Sequence, residues 1–295
     1  MHNEKIGLDD WFDLVCQSCL QPPVCYNGKA LPAFPSDMIQ ADTTGQSGVA
    51  TLRDAFIFYK DCISTFEEFG KPVTESARIL DFGVGWGRIA RFFLRDIPLE
   101  NIHGVDVTSE FTAICRETFK SEKFFTCQPH PPTSLPTNHY DFIVGYSVFS
   151  HLSEAACMAW MKEFGRILAP GGIVALTTRG RPFFDFCESQ KEKKTRFQLV
   201  LRNLFGKKKP SGYLEALGGI FKDFDAVRAS YDRGEFVHSN VLGVSGGGAM
   251  NATFYGETFI PEAYASRAYT PFLELGKFMY EPRYQSHPIM FFRKK

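Results

Sequence analysis

The stretch Leu80–Phe92 reads "LDFGVGWGRIARF". Apolar Arg78–Phe82 predicts a strand that ends beside a carboxylate, Asp81. Gly83, Gly85 and Gly87 then alternate, and Gly87–Arg95 predicts a helix. A glycine-rich turn between a strand and its helix lets backbone approach a ligand, and the helix start offers free N–H groups.

The pattern continues on the C-terminal side. Strands are expected at Ile102–Asp106, Phe124–Cys127, Tyr140–Tyr146 and Ile173–Thr178, with helices at Ser109–Phe119 and Ser153–Leu168. Strands alternating with helices of this length imply right-handed β-α-β units and a parallel sheet. Beyond Ala249, Pro261–Arg267 reads as a helix, and Phe272–Met279 and Pro288–Arg293 as strands.

Upstream, Leu8, Phe12, Val15 and Cys19 recur at helical spacing, and so do Leu52, Phe56, Tyr59, Ile63 and Phe66. Between the two helices, Gln21–Gly48 is a Pro/Gly-containing connection. The expected organisation is an N-terminal helical cap over 1–75, a core over 76–180, an inserted substrate-side segment over 181–250 and a return to the core over 251–295. The insert breaks the strand–helix rhythm. It carries the basic run Lys191–Lys209, which reads as a solvated helix and loop or as a surface for an anionic glycan or membrane. It also carries Gly246, Gly247 and Gly248, which lack a following G-K-[ST] and so form no phosphate loop. Phe183, Phe184, Tyr213, Tyr231 and Phe236 serve there either as core or as stacking surfaces for sugars.

With 295 residues, 33 basic against 33 acidic side chains and a net charge of +0, nothing in the composition asks for nucleic acid or an acidic membrane. The acidic N-terminus lacks the pattern of an export signal, no segment is long and apolar enough to span a membrane, and a cytoplasmic protein is expected. The eight cysteines then read as small buried hydrophobes. Cys16 and Cys19 form a C-x-x-C without a second ligand pair, so no metal is expected.

Three features choose the ligand. The glycine spacing departs from G-x-G-x-x-G, since Arg88 takes the third glycine position, and this argues against a nicotinamide dinucleotide. Asp81 at the strand tip would repel a pyrophosphate and attract a cationic group. Asp106 ends the second strand where its carboxylate can accept from ribose hydroxyls. S-adenosylmethionine, with a sulfonium, an ammonium and no phosphate, meets all three.

"ILDFGVGWGRIARFF", "GVDVT", "YDFIVGYSVFSHLSEAACMAWMKEFGRIL" and "LAPGGIVALTTRG" resemble successive motifs of class I S-adenosylmethionine-dependent methyltransferases, from about Arg78 to Gly180. The likeness is to the bacterial small-molecule and glycan-type branch, and "YGETFIP" and "HPIMFFRKK" resemble it more weakly. The resemblance implies a Rossmann-like α/β fold, a seven-stranded, mostly parallel sheet with its last strand antiparallel and flanking helices. It places Asp81, Gly83, Gly85 and Gly87 around the methionine part of the cofactor, Asp106 and Val107 at the ribose, and Cys127 and Gln128 near adenine. Tyr146 and Ser147 then line the methyl-transfer pocket.

Methyl transfer is an in-line displacement that positioning chiefly assists. His151 in "SVFSHL" is the candidate base, or else a histidine that orders the turn. Arg179 either meets an anionic group of the substrate or caps a surface turn. "GYSVFSH" stands where amino-group methylating branches show N/D-P-P-Y/F, which argues against DNA bases and favours an oxygen acceptor on a small molecule or glycan. The alternatives are a peptide or natural-product acceptor, or a binding module that keeps the cofactor without catalysis.

Overall fold

A computed structural model describes residues 5–191, 212–241, 248–283 and 285–295. At its centre is a seven-stranded sheet. We number its strands β1 (Ile79–Phe82), β2 (Ile102–Asp106), β3 (Phe124–Thr126), β4 (Tyr140–Gly145), β5 (Leu168–Thr177), β6 (Glu274–Met279) and β7 (Ile289–Arg293). The spatial order is β6-β7-β5-β4-β1-β2-β3. The pairs β1–β2, β1–β4, β2–β3 and β4–β5 are parallel, and β7 runs antiparallel to both its neighbours. The order reverses between β1 and β4, and ligands of open α/β sheets bind at the strand ends beside such a reversal.

Both faces of the sheet are covered. On one lie α1 (Leu8–Leu20), α2 (Asp37–Thr44) and α3 (Val49–Glu68), joined by the chain after β1. Trp11, Phe58, Tyr59, Phe66, Phe92 and Phe93 are buried among them. The α1 helix is docked by the Trp11 indole donating to the Phe92 carbonyl at 2.9 Å, and by Arg95 Nε donating to the Ile6 carbonyl at 2.8 Å. Cys16 and Cys19 are half-buried against this core. On the other face, α5 (Glu154–Ile167) and the Glu262–Ala268 helix bury Trp160, Phe164, Tyr264 and Tyr269. α4 (Ser109–Phe119) follows β2. Among the described residues no helix is long and apolar enough to cross a membrane.

One expected helix is corrected. Gly87–Arg95 does not form an α-helix. A 3-10 helix covers only Ala90–Arg95. Gly85 and Gly87 have φ of +51° and +82°, outside the helical region, so no helix can begin before Arg88. The Gln21–Gly48 connection also holds more order than expected: the α2 helix, and a small hairpin pairing Cys25–Tyr26 with Lys29–Ala30.

Residues 182–191 are helical, and with the helices Gly212–Leu217 and Phe224–Asp232 they close a small core of their own around Phe184, Cys187, Leu217 and Phe259. Phe183, Phe184 and Tyr231 pack into that core, and Phe236 against Tyr264. The expectations for the basic run beyond Lys191, and for Gly246 and Gly247, fall outside the described residues.

Candidate functional site

Where β1, β2 and β4 end, a cavity of about 400 Å³ opens, a volume in the range of small-molecule sites. Its floor is the glycine turn. Gly83 has φ +73°, and any β-carbon there would clash with the Val148 side chain. Gly85 has no neighbour within 4 Å of the place a β-carbon would take, so its backbone is bare towards the cavity. Gly87 does not line the cavity. A β-carbon there would run into the Phe119 ring, so this glycine lets the turn lie against α4.

That difference makes a prediction. Gly85→Ala is expected to cost about 1–2 kcal/mol of stability for a side chain in the left-handed region and to reduce adenosyl-ligand affinity at least tenfold. Gly87→Ala is expected to lose more stability, about 2–4 kcal/mol from strain and overpacking. Urea unfolding beside calorimetric titration of each variant would separate the two, and equal behaviour would contradict the geometry.

The carboxylate of Asp106 is the polar end of the cavity. Its Oδ2 accepts from Gly85 N–H at 2.9 Å and its Oδ1 from Thr108 N–H at 2.9 Å. Burial raises its pKa against these hydrogen bonds. Val107 lines the wall beside it. An apolar slot follows, formed by Phe111, Cys127, Pro129, Trp160 and Phe254. Gln128 is exposed and does not line it, because alternate residues of an extended chain face opposite ways.

Asp81 is turned away from the cavity. It is 1% exposed, and its Oδ2 accepts from the Ala90 N–H at 3.0 Å, which fixes the start of the 3-10 helix. Its Oδ1 has no partner among the described residues. Burial is the main cause that pushes its pKa up to about 7. Since the unfolded carboxyl titrates near 4, between about pH 4 and 7 the folded state holds a proton that the unfolded state has lost. Stability is therefore expected to fall by up to about 1.4 kcal/mol per pH unit across that window. In Asp81→Asn this contribution vanishes, so unfolding free energies from pH 4.5 to 8 should be flatter than wild type and higher above pH 7. Parallel curves would show that Asp81 titrates normally.

The far wall is polar and aromatic. Tyr146 and Ser147 follow directly on β4 and both line the cavity. Ser147 holds φ +59°, and its N–H donates to Thr177 Oγ1 at 2.6 Å; a non-glycine residue in that region marks a backbone constrained by its surroundings. The Tyr146 hydroxyl bonds Ser286 Oγ at 2.8 Å, and burial raises its pKa, so it stays protonated. The turn is tied to the N-terminal helices by two bonds. Trp86 Nε1 donates to Thr43 Oγ1 at 3.0 Å, and Arg88 Nη1 to the Thr51 carbonyl at 2.9 Å. Asp42, Thr43 and Thr44 wall the mouth on one side, and Met250, Phe254 and Tyr255 on the other. Of the described residues in 181–250, Met250 alone lines it, while Phe184, Cys187, Leu217, Ile220, Phe224 and Val237 are buried with Phe259 in the small core.

His151 also lines the cavity and stacks on Tyr255 at 4.9 Å. Its Nδ1 lies 2.7 Å from the Gly256 carbonyl and 3.3 Å from Glu257 Oε1. Both are acceptors, so Nδ1 carries a proton, and in the neutral ring the lone pair lies on Nε2. Glu257 comes from the segment Tyr255–Phe259, which is threaded between the loop after β4 and the end of β5. Gly256 N–H donates to the His151 carbonyl at 2.7 Å, Thr258 N–H to Ser150 at 2.8 Å, and Arg179 N–H to Thr258 at 3.3 Å. The Glu257 carboxylate is fully buried. Arg179 Nε donates to its Oε2 at 2.9 Å and the Tyr213 hydroxyl to its Oε1 at 2.7 Å. Despite burial, His151 and Arg179 hold its pKa down to about 2.

Arg179 does not line the cavity, nor does it cap a surface turn. Its guanidinium lies between Glu257, Phe183 and His287, whose Nε2 accepts from Nη1 at 2.7 Å. The expectation that it meets a substrate anion is corrected, because its charge is already matched by Glu257. Glu257 is the functional residue that motif reading passed over. The one signal was an acidic residue inside the otherwise apolar "YGETFIP".

Sheet order, the bare glycine turn and a carboxylate at the tip of β2 make a Rossmann-like α/β fold with an open site where the strand order reverses. Residues 79–172 match the family model described as "Methyltransferase domain". No curated protein matches the chain.

Three solved structures illustrate the likeness. An S-adenosylmethionine-dependent methyltransferase from Mesorhizobium loti is 16% identical over 42% of this chain and 56% of its own, with a TM-score of 0.35. The chain thus spans little more than half of that protein. One from Methanosarcina mazei is 17% identical over 78% and 96%, at 0.45. Magnesium protoporphyrin IX methyltransferase from Synechocystis PCC 6803, with bound SAH, is 11% identical over 85% and 90%, also at 0.45. The fold assignment rests on the sheet order itself and not on these likenesses.

Proposed function

We propose that the chain methylates a hydroxyl group of a small molecule or glycan, with His151 as general base. The observation that carries this reading is the His151 tautomer: with Nδ1–H held by Gly256 and Glu257, the Nε2 lone pair is left on a residue that lines the cavity. A base is of most use when the acceptor is a hydroxyl, whose proton must leave as the new bond forms.

S-adenosylmethionine supplies, when bound, a methyl group on a sulfonium whose thioether is a good leaving group. The chain's residues fit it: Asp106 would accept from the ribose hydroxyls, Gly83 and Gly85 would bring bare backbone against the methionine part, and Cys127 and Trp160 would flank the adenine. Asp81 shapes the turn from beneath. Tyr146 and Ser147 orient the acceptor oxygen towards the methyl group while His151 Nε2 takes its proton. That proton is the only one to be placed, and positioning supplies most of the remaining acceleration.

Thermal unfolding in excess S-adenosylmethionine, S-adenosylhomocysteine and NAD tests the cofactor end. The two adenosyl compounds at about 100 times their dissociation constants should each add roughly 2.7 kcal/mol, and NAD nothing. An acceptor screen beginning with sugars and small alcohols then tests the rest. Methyl transfer solely to nitrogen or carbon would refute the oxygen assignment.

A further inference from the structure

Three ionisable side chains from distant parts of the chain meet behind the cavity: His151 after β4, Arg179 after β5 and Glu257 from the Tyr255–Phe259 segment. Glu257 is wholly enclosed, and an isolated buried carboxylate 3.3 Å from an imidazole would draw a proton onto it and keep it there. A histidine held permanently protonated cannot act as a base. Arg179 lies on the other carboxylate oxygen at 2.9 Å. Among the described residues the neighbours that face this cluster carry no further charge, the Cys187 thiol included, which burial pushes up to about 12. The Tyr213 and Tyr255 hydroxyls are pushed up by burial, and the His238 and His287 imidazoles are pushed down by it, so all four are neutral at pH 7. Asp106 lines the same cavity, with its carboxylate oxygens on the Gly85 and Thr108 N–H groups. Against His151 there stand one buried negative charge and one positive charge that offsets it.

We propose that Arg179 acts on the reaction through Glu257, as the counter-charge that keeps this carboxylate from pulling a proton onto His151 Nε2. Glu257 fixes the tautomer and, once the proton has moved, faces the imidazolium. Arg179 limits how strongly Glu257 attracts that proton beforehand. Arg179 is thus a positioning residue that touches neither cofactor nor acceptor. The inference rests on His151 being the base, but its test needs no turnover.

Histidine-labelled full-length protein is titrated by NMR, with the His151 resonance assigned by its loss in His151→Ala. Arg179→Met is expected to raise the His151 midpoint by about one pH unit or more, and Glu257→Gln to lower it by a similar amount. Arg179→Lys keeps the charge but not the fork that spans Glu257 and His287, and should move the midpoint less than Met does. An unmoved midpoint in Arg179→Met overturns the proposal. If that variant does not fold, an unmoved or raised midpoint in Glu257→Gln does so. Expected shifts together with full activity of His151→Ala would instead overturn the base assignment and leave the charge arrangement standing.

Discussion

Asp106→Ala is expected to bind S-adenosylhomocysteine about 100-fold more weakly than wild type, roughly 2.7 kcal/mol. The carboxylate does two things at once. It accepts the Gly85 and Thr108 N–H groups at 2.9 Å each, which sets the glycine turn and the start of α4 against one another. It also presents its remaining lone pairs at the cavity wall, where a ribose diol can donate to them. Charge-assisted hydrogen bonds contribute about 1.5–3 kcal/mol each, so the loss of the ribose contacts alone accounts for most of the effect. Asp106→Asn retains one acceptor oxygen and should fall between alanine and wild type. Calorimetric titration decides the matter. An alanine variant within a few-fold of wild type, still folded by its melting curve, would move the ribose site away from β2.

The second large effect is on turnover. His151→Ala should lower kcat by about 10²–10⁴, the usual contribution of general acid–base catalysis, while S-adenosylhomocysteine binds as before. Among the described residues the imidazole bonds to Gly256 and Glu257 and stacks on Tyr255, and it bonds neither to Asp106 nor to the glycine turn. Loss of cofactor affinity in parallel with loss of rate would mean that the histidine orders the loop rather than takes a proton. Full turnover of a hydroxyl acceptor would mean that positioning alone suffices.

Much of the cofactor end could be read from local sequence. Strand β2 and helix α4 lie where their apolar spacing places them, and Asp106 stands at a strand tip because an apolar run ends there. Gly83 and Gly85 face the cavity, as a turn that brings bare backbone against a ligand requires. The same reasoning overreached at Gly87 and Asp81. Both belong to the turn, yet Gly87 is small because α4 lies against it, and Asp81 points under the turn to the Ala90 N–H. Gln128 failed for a related reason, since one step along an extended chain reverses the direction of the side chain.

The acceptor end divides differently. His151 could be nominated from its place after β4, but its role depends on which ring nitrogen holds the proton, and Gly256 and Glu257 decide that from 105 and about as many residues away along the chain. Arg179 was visible as a charge at a strand end, whereas its partner was not. The sequence by itself determined the strands and helices of the core from Ile102 to Thr177, the carboxylate at the tip of β2 and the bare glycine turn, because each follows from local periodicity and backbone sterics. Only the tertiary structure decided which carboxylate stands behind the histidine, which cation offsets it and which segments wall the cavity. Those depend on contacts between residues far apart in the chain, whose charges acquire their meaning only when burial removes them from water.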